Sequence, residues 1–106
     1  MEYHHNDKQN DAVLKELCQA LLLLKNSEEM IRFFNDLCTP QEIRALAERW
    51  RVCRILHQGD LSYREISAQT GASLATIGRV ARFLKDEPHR GYELILNRMQ
   101  KKRSKK

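Results

Sequence analysis

Apolar residues recur at helical spacing in several stretches of this 106-residue chain, and no stretch alternates apolar and polar residues as a strand does. The first stretch predicts a helix over about residues 7–25. Its apolar stripe includes Val13, Leu17, Leu21 and Leu24. Ser27 is the expected cap of a second helix, and Thr39 with Pro40 begins a third, since Thr suits the cap and Pro the first helical position.

Two short helices joined by a tight turn are predicted at about residues 62–85. Ser62 and Glu65 have the spacing of a capping box at the start of the first helix. Gly71 suits a sharp bend because it has no Cβ, and Ser73 is the expected cap of the second helix. The residues expected to lock the two helices together are Ile66, Ile77 and Val80. This pattern is typical of a helix-turn-helix motif.

The distribution of charge favours a polyanionic partner for that motif. Residues 61–106 contain eleven Lys and Arg and four Asp and Glu, a formal charge of +7, whereas residues 1–60 carry −2. The excess positive charge therefore lies in the half of the chain that contains the motif, as in many nucleic-acid-binding proteins. The side chains expected on the outward side of the second helix are Ser73, Ala75, Thr76, Arg79 and Arg82.

Length and composition predict one helical domain over residues 1–106. The three cysteines stand far apart in apolar helical patterns, so we expect reduced, mostly buried thiols in a cytoplasmic protein and no metal site. The longest apolar run is far shorter than the roughly 20 residues that cross a bilayer, so no membrane association is expected. Pro88 is expected to open a last helix, and the polar ends, 1–6 and 101–106, are expected to be disordered.

Several short motifs resemble those of the tryptophan repressor family, in particular the Trp-repressor-like proteins of the YerC/YecD type. They are Thr39-Pro40, Arg49, Gly59, Ser62-x-Arg64-Glu65, Gly71-Ala72 and Ala75-Thr76-Ile77-x-Arg79. The resemblance implies an all-α fold of six helices that interleaves with a second copy as a homodimer. It also implies a transcriptional regulator that binds a palindromic operator in double-stranded DNA.

The resemblance also implies which residues bind DNA and which surround the family's tryptophan pocket. The positions that correspond to DNA contacts are Arg64, Ser73, Leu74, Ala75, Thr76 and Gly78. Thr39, Arg49 and Arg79 correspond to the pocket, in which the two arginines sandwich the indole. This chain departs from the family pattern at Val80 and Phe83, which replace a small residue and a serine. Both changes add apolar bulk, so tryptophan is not expected to bind as a corepressor.

The sequence thus favours a sequence-specific DNA-binding dimer that represses transcription. Arg64, Arg79 and Arg82 are the candidates for phosphate or guanine contacts. Ser73 and Thr76 are the candidates for reading bases. Two alternatives remain: a module that binds an acidic protein, and a nucleic-acid binder without sequence preference that uses the basic tail. An enzyme is not expected, because the chain shows no nucleophile–base–acid set, no metal-ligand cluster and no glycine-rich phosphate loop, and no cofactor is expected.

Overall fold

The computed structural model describes residues 7–104, which form six α-helices and no strand. In chain order the helices are α1 (Asp7–Leu21), α2 (Ser27–Leu37), α3 (Pro40–Gln58), α4 (Tyr63–Thr70), α5 (Leu74–Lys85) and α6 (Gly91–Ser104). The predicted all-α class and the predicted number of helices are confirmed. Across the described residues, no helix has both the length and the apolar character needed to cross a membrane.

The first two helices differ from prediction at the segment that connects them. α1 ends at Leu21 instead of continuing to residue 25. The backbone N–H groups of Leu23 and Leu24 donate to carbonyls only three residues back, so a tighter turn ends the helix although the apolar pattern continues. The cap of α2 is Asn26, whose Oδ1 accepts the N–H of Glu29 at 2.9 Å; Ser27, the predicted cap, is the first residue of the helix.

The start of α3 matches its prediction in detail. The hydroxyl of Thr39 accepts the backbone N–H of Glu42 at 3.1 Å, and the Glu42 carboxylate accepts the N–H of Thr39 at 2.8 Å. These two reciprocal bonds satisfy backbone donors that the first turn of a helix leaves free. Pro40 is the first residue of the helix, where its missing N–H costs nothing.

The last helix begins later and ends later than predicted. Arg90 adopts a left-handed backbone conformation with φ of 58°. A residue in this conformation cannot belong to a right-handed helix, so α6 begins at Gly91 and not at Pro88. α6 continues to Ser104, so residues 101–104 are helical and not part of a disordered tail. The other predicted tail residues, 1–6 and 105–106, lie outside the described residues.

The chain divides into two compact units, residues 1–43 and 44–106. In the first unit, none of residues 8–43 is buried. Several of its apolar side chains are largely exposed in the single chain, most of all Leu22 at 83% and Leu23 at 79%. The described part of this unit therefore has apolar helices without a core of its own.

The second unit has a core to which four helices contribute. Its buried residues are Val52 and Cys53 from α3, Ile66 from α4, Ile77, Val80 and Ala81 from α5, Leu96 from α6, and Ala72 from the turn. Burial raises the pKa of the Cys53 thiol to about 11. Cys18 is exposed and Cys38 half-buried, so the expectation of mostly buried thiols is correct only for Cys53.

Candidate DNA-binding surface

Helix α4 begins with a complete capping box. The hydroxyl of Ser62 accepts the N–H of Glu65 at 3.2 Å, and the Glu65 carboxylate accepts the N–H of Ser62 at 2.8 Å. Hydrogen bonds from Ser62 lower the pKa of the Glu65 carboxyl, because they stabilise its charged form. The start of the motif is thus determined by two residues that are three positions apart.

The turn between α4 and α5 is held by a short network of hydrogen bonds. Gly71 has φ of 80°, a left-handed conformation that glycine adopts without steric cost, and its N–H donates to Ser67 O at 2.8 Å. The hydroxyl of Thr70 accepts the N–H of Ala72 at 3.0 Å and donates to Ile66 O at 2.7 Å. The Ser67 hydroxyl donates to Ala72 O at 2.7 Å. These bonds set the direction in which α5 leaves the turn.

Helix α5 buries one side and leaves the other open. Ile77, Val80 and Ala81 lie in the core. At the start of the helix the Ser73 hydroxyl accepts the N–H of Thr76 at 3.0 Å and lies 3.0 Å from the Thr76 hydroxyl. The burial of the three apolar residues therefore determines which α5 side chains face outward.

The predicted DNA-contacting residues lie mostly on this open side. The exposed ones are Arg64 on α4 and Ser73, Leu74, Ala75, Arg79 and Arg82 at or on α5; Thr76 and Gly78 are half-buried. Leu74 is 48% exposed although it is apolar. Hydroxyl and methyl groups thus cluster at the N-terminal end of α5, the end that contacts base edges in helix-turn-helix proteins.

Gly78 stands in the middle of α5 without a structural reason within this chain. A Cβ added at this position meets no atom within 4 Å. Glycine inside a helix costs about 1 kcal/mol relative to alanine. Packing inside the described chain therefore does not require a glycine at this position. A glycine would be needed here if another molecule had to come close to the α5 backbone.

The C-terminal half of α5 is organised around the half-buried ring of Phe83. The guanidinium of Arg79 lies over this ring at 4.4 Å from its centroid, and that of Arg82 lies at 5.5 Å. His89, from the loop before α6, stacks on the same ring with the two planes inclined by 9°. Arg82 Nε also donates to Glu87 Oε2 at 2.6 Å. Of the two α5 arginines, Arg82 is the one that also forms an ion pair.

A cleft of about 300 Å³ opens beside Arg79, between α5 and the start of α6. Three of the five predicted pocket residues line it, namely Arg79, Val80 and Phe83. Arg49 does not line it, and Thr39 belongs to the first unit, where its side chain caps α3. Tyr92 and His89 complete part of the wall. Neither was predicted, because no helical spacing links them to α5 in the sequence.

Tyr92 connects this cleft to the core. Its ring is tilted against that of Trp50 at a centroid distance of 6.5 Å. Burial raises the pKa of the Tyr92 hydroxyl, and the positive charges of Arg49 and Arg79 partly oppose that rise. Within residues 7–104, no three His, Cys, Asp or Glu side chains come close enough together to hold a metal ion.

Comparison with known proteins gives matches over most of the chain. A family model described as Trp repressor protein matches residues 12–100. The uncharacterized protein YerC of Bacillus subtilis is 45% identical over 93 residues, which cover 88% of each chain. A Trp operon repressor homolog of Aliivibrio salmonicida is 40% identical over 70 residues, 63% of this chain and 65% of that protein. The crystal structure of a TrpR-like protein from Eubacterium eligens superposes with a TM-score of 0.79 and 38% identity, and covers 90% of this chain and 96% of the other.

Proposed function

Since this chain belongs to the Trp repressor protein family, we propose that it is a cytoplasmic, sequence-specific DNA-binding regulator that represses transcription by occupying an operator. The observation that carries this proposal is the open side of α5, where most of the predicted contact residues are exposed while Ile77, Val80 and Ala81 lie in the core. The positive charge of residues 61–106 supports it.

In the proposed complex, the N-terminal end of α5 enters the major groove. There the hydroxyls of Ser73 and Thr76 bond base edges, directly or through water, and the methyl groups of Leu74 and Ala75 contact thymine methyls. The guanidiniums of Arg64, Arg79 and Arg82 supply contacts to phosphate or guanine. Gly78 leaves room for the DNA to approach α5.

The proposed active form is an interleaved homodimer that binds a palindromic site. It is supported by the first unit, in which residues 8–43 bury no side chain while Leu22 and Leu23 are exposed. Exposed apolar surface of this kind usually marks a partner interface, and a two-fold dimer is the commonest assembly. Light scattering at micromolar concentration is expected to give the mass of a dimer; a monomer mass contradicts this part of the proposal.

The regulator is proposed to bind its operator without tryptophan. An aromatic ring of the chain itself, that of Phe83, already contacts the guanidinium of Arg79. In the pocket that the family resemblance implies, this guanidinium contacts the indole of tryptophan. A ligand changes a conformational equilibrium only if it binds one state better than the other. Because Arg79 already contacts an aromatic ring of the chain, an indole has less to gain from that guanidinium.

Selection of bound duplexes from a random DNA library tests the proposal. The expected result is a palindromic consensus whose half-sites lie about one helical turn apart. Equal recovery of all sequences contradicts the proposal and indicates a nucleic-acid binder without sequence preference. Absence of binding even at low salt contradicts it and indicates a module that binds an acidic protein instead.

A further inference from the structure

A second, larger cleft lies within residues 44–106, and none of the candidate DNA-contacting residues lines it. It occupies about 590 Å³ between the last turns of α3 and the C-terminal half of α6. Its volume falls in the range of small-molecule sites. The residues that line it are Arg54, His57, Gln58, Leu96, Met99, Gln100 and Arg103; none of them is acidic.

Within the described part of the single chain, the basic side chains of this cleft have no carboxylate partner. Across residues 7–104, the ion pairs are those of Arg82 and Arg90, and no carboxylate comes within ion-pair distance of Arg54, His57 or Arg103. The guanidinium of Arg54 lies 5.9 Å from the centroid of the Trp50 ring, a contact that limits its motion. The cleft therefore holds two unneutralised guanidiniums and an imidazole.

The remaining lining residues indicate which functional groups a ligand of this cleft would carry. Gln58 and Gln100 add amide donors, and Leu96 with Met99 adds an apolar wall. Helix dipoles favour basic side chains in the last turns of α3 and α6, but they do not account for the amides and the apolar wall beside them. A phosphate group accepts more hydrogen bonds than a carboxylate and carries up to two charges, which matches this set of donors.

We propose that this cleft is a second binding site, which takes a small phosphate monoester with an apolar body. Arg54, Arg103 and His57 bind the phosphate, and Leu96 with Met99 contacts the apolar part. The site shares no residue with the candidate DNA-contacting set, so the proposal stands whether or not the chain recognises an operator.

Titration calorimetry of the full chain with phenyl phosphate, at constant ionic strength, tests this site. We expect saturable binding with one site per chain and a shift of the Met99 methyl resonance on addition of the ligand. Arg54→Gln and Arg103→Gln are each expected to weaken binding by about tenfold, since each removes a charge-assisted hydrogen bond. Arg98→Gln is the matched control, because Arg98 is exposed on α6 and does not line the cleft.

Four results overturn the proposal. Absence of saturable heat does so directly. An equal loss in Arg98→Gln shows attraction to general surface charge, and equal affinity for inorganic phosphate shows that the apolar wall contacts no ligand. A short DNA duplex that displaces phenyl phosphate from the wild type, but no longer binds there in Arg103→Gln, shows that the cleft binds the DNA backbone instead. Circular dichroism confirms that each variant folds; if Arg54→Gln does not, Arg103→Gln decides, because Arg103 is exposed near the end of α6.

Discussion

The guanidinium carbon of Arg79 lies 4.4 Å from the centroid of the Phe83 ring, one helical turn further along α5. Contacts of this kind contribute about 0.5–2 kcal/mol, depending on how far they are shielded from water. His89 stacks on the same ring, so the loop before α6 is attached to the end of α5 through one side chain. The orientation of a candidate DNA-contacting arginine is therefore coupled to a residue that is not itself expected to contact DNA.

This contact leads to a prediction about tryptophan. We expect no saturable heat when tryptophan is titrated into the protein, and the same operator affinity with and without it. The physical reason is that the Phe83 ring already contacts the Arg79 guanidinium, which the family pocket would otherwise offer to an indole. Tryptophan binding that raises operator affinity would show that the ring moves aside at low cost.

Thr76→Ala and Arg64→Ala are expected to weaken DNA binding in different ways. Loss of a base contact at Thr76 costs about 1–3 kcal/mol on the preferred site and little on other sequences. Loss of Arg64 is expected to weaken binding to all duplexes and to reduce the salt dependence, with a smaller effect on preference. Fluorescence anisotropy with a specific and a scrambled duplex at several salt concentrations distinguishes the two. Equal losses on both duplexes for Thr76→Ala would remove it from base readout.

Gly78→Ala is expected to raise stability and lower DNA affinity at the same time. Alanine is the better helix residue by up to about 1 kcal/mol, and its methyl group meets nothing inside the chain. The same methyl group reduces the space for an approaching duplex. Thermal unfolding and anisotropy measure the two effects separately.

Gly71→Ala is the matched glycine-to-alanine control for Gly78→Ala, at a position where the backbone itself requires glycine. It is expected to destabilise the fold by about 1–2 kcal/mol, because alanine does not adopt a left-handed conformation readily. If Gly78→Ala leaves DNA affinity unchanged, the glycine does not mark a close approach.

The capping box of α4 predicts a pH dependence of stability. Hydrogen bonds from Ser62 lower the folded-state pKa of Glu65, so the stabilisation is present above the unfolded-state pKa of about 4.3 and is lost as the pH falls through the lower folded-state value. Glu65→Gln is therefore expected to be less stable than the wild type at pH 7, with a difference that shrinks below about pH 4.3. Chemical unfolding at a series of pH values measures this difference.

Glu65→Ala separates the contribution of the carboxylate charge from that of the hydrogen bond that the side chain accepts. Glutamine still accepts the Ser62 N–H bond, whereas alanine does not, so the alanine variant should remain less stable at low pH as well. A constant difference between wild type and Glu65→Gln at all pH values would contradict the prediction.

The helix-turn-helix was predictable because each of its boundaries depends on a local signal. Ser62 with Glu65, Gly71 with its left-handed backbone, and Ser73 as a cap all act within four residues of their partners. Where two adjacent residues are both good caps, the sequence alone does not distinguish them. Asn26 and Ser27 are such a pair, and the structure uses the first.

The parts that could not be predicted depend on contacts between distant segments or on the conformation of a single residue. The start of α6 depends on the left-handed conformation of Arg90, which nothing in a Pro-x-x-Gly segment requires. The stacking of His89 on Phe83 and the cleft between Arg54 and Arg103 arise only when α6 packs in the second unit. Helical spacing along one element contains no information about either.

The division of α5 into a buried and an open side has a consequence for how this lineage can diverge. Ile77, Val80 and Ala81 maintain the fold, while exposed positions such as Ser73 and Ala75 bury nothing. Substitutions at exposed positions usually change stability by no more than about 0.5 kcal/mol, provided that a cap is kept at Ser73. Under the proposed function, a duplicated gene can therefore acquire a new DNA preference through a few surface changes, without any compensating change in the core.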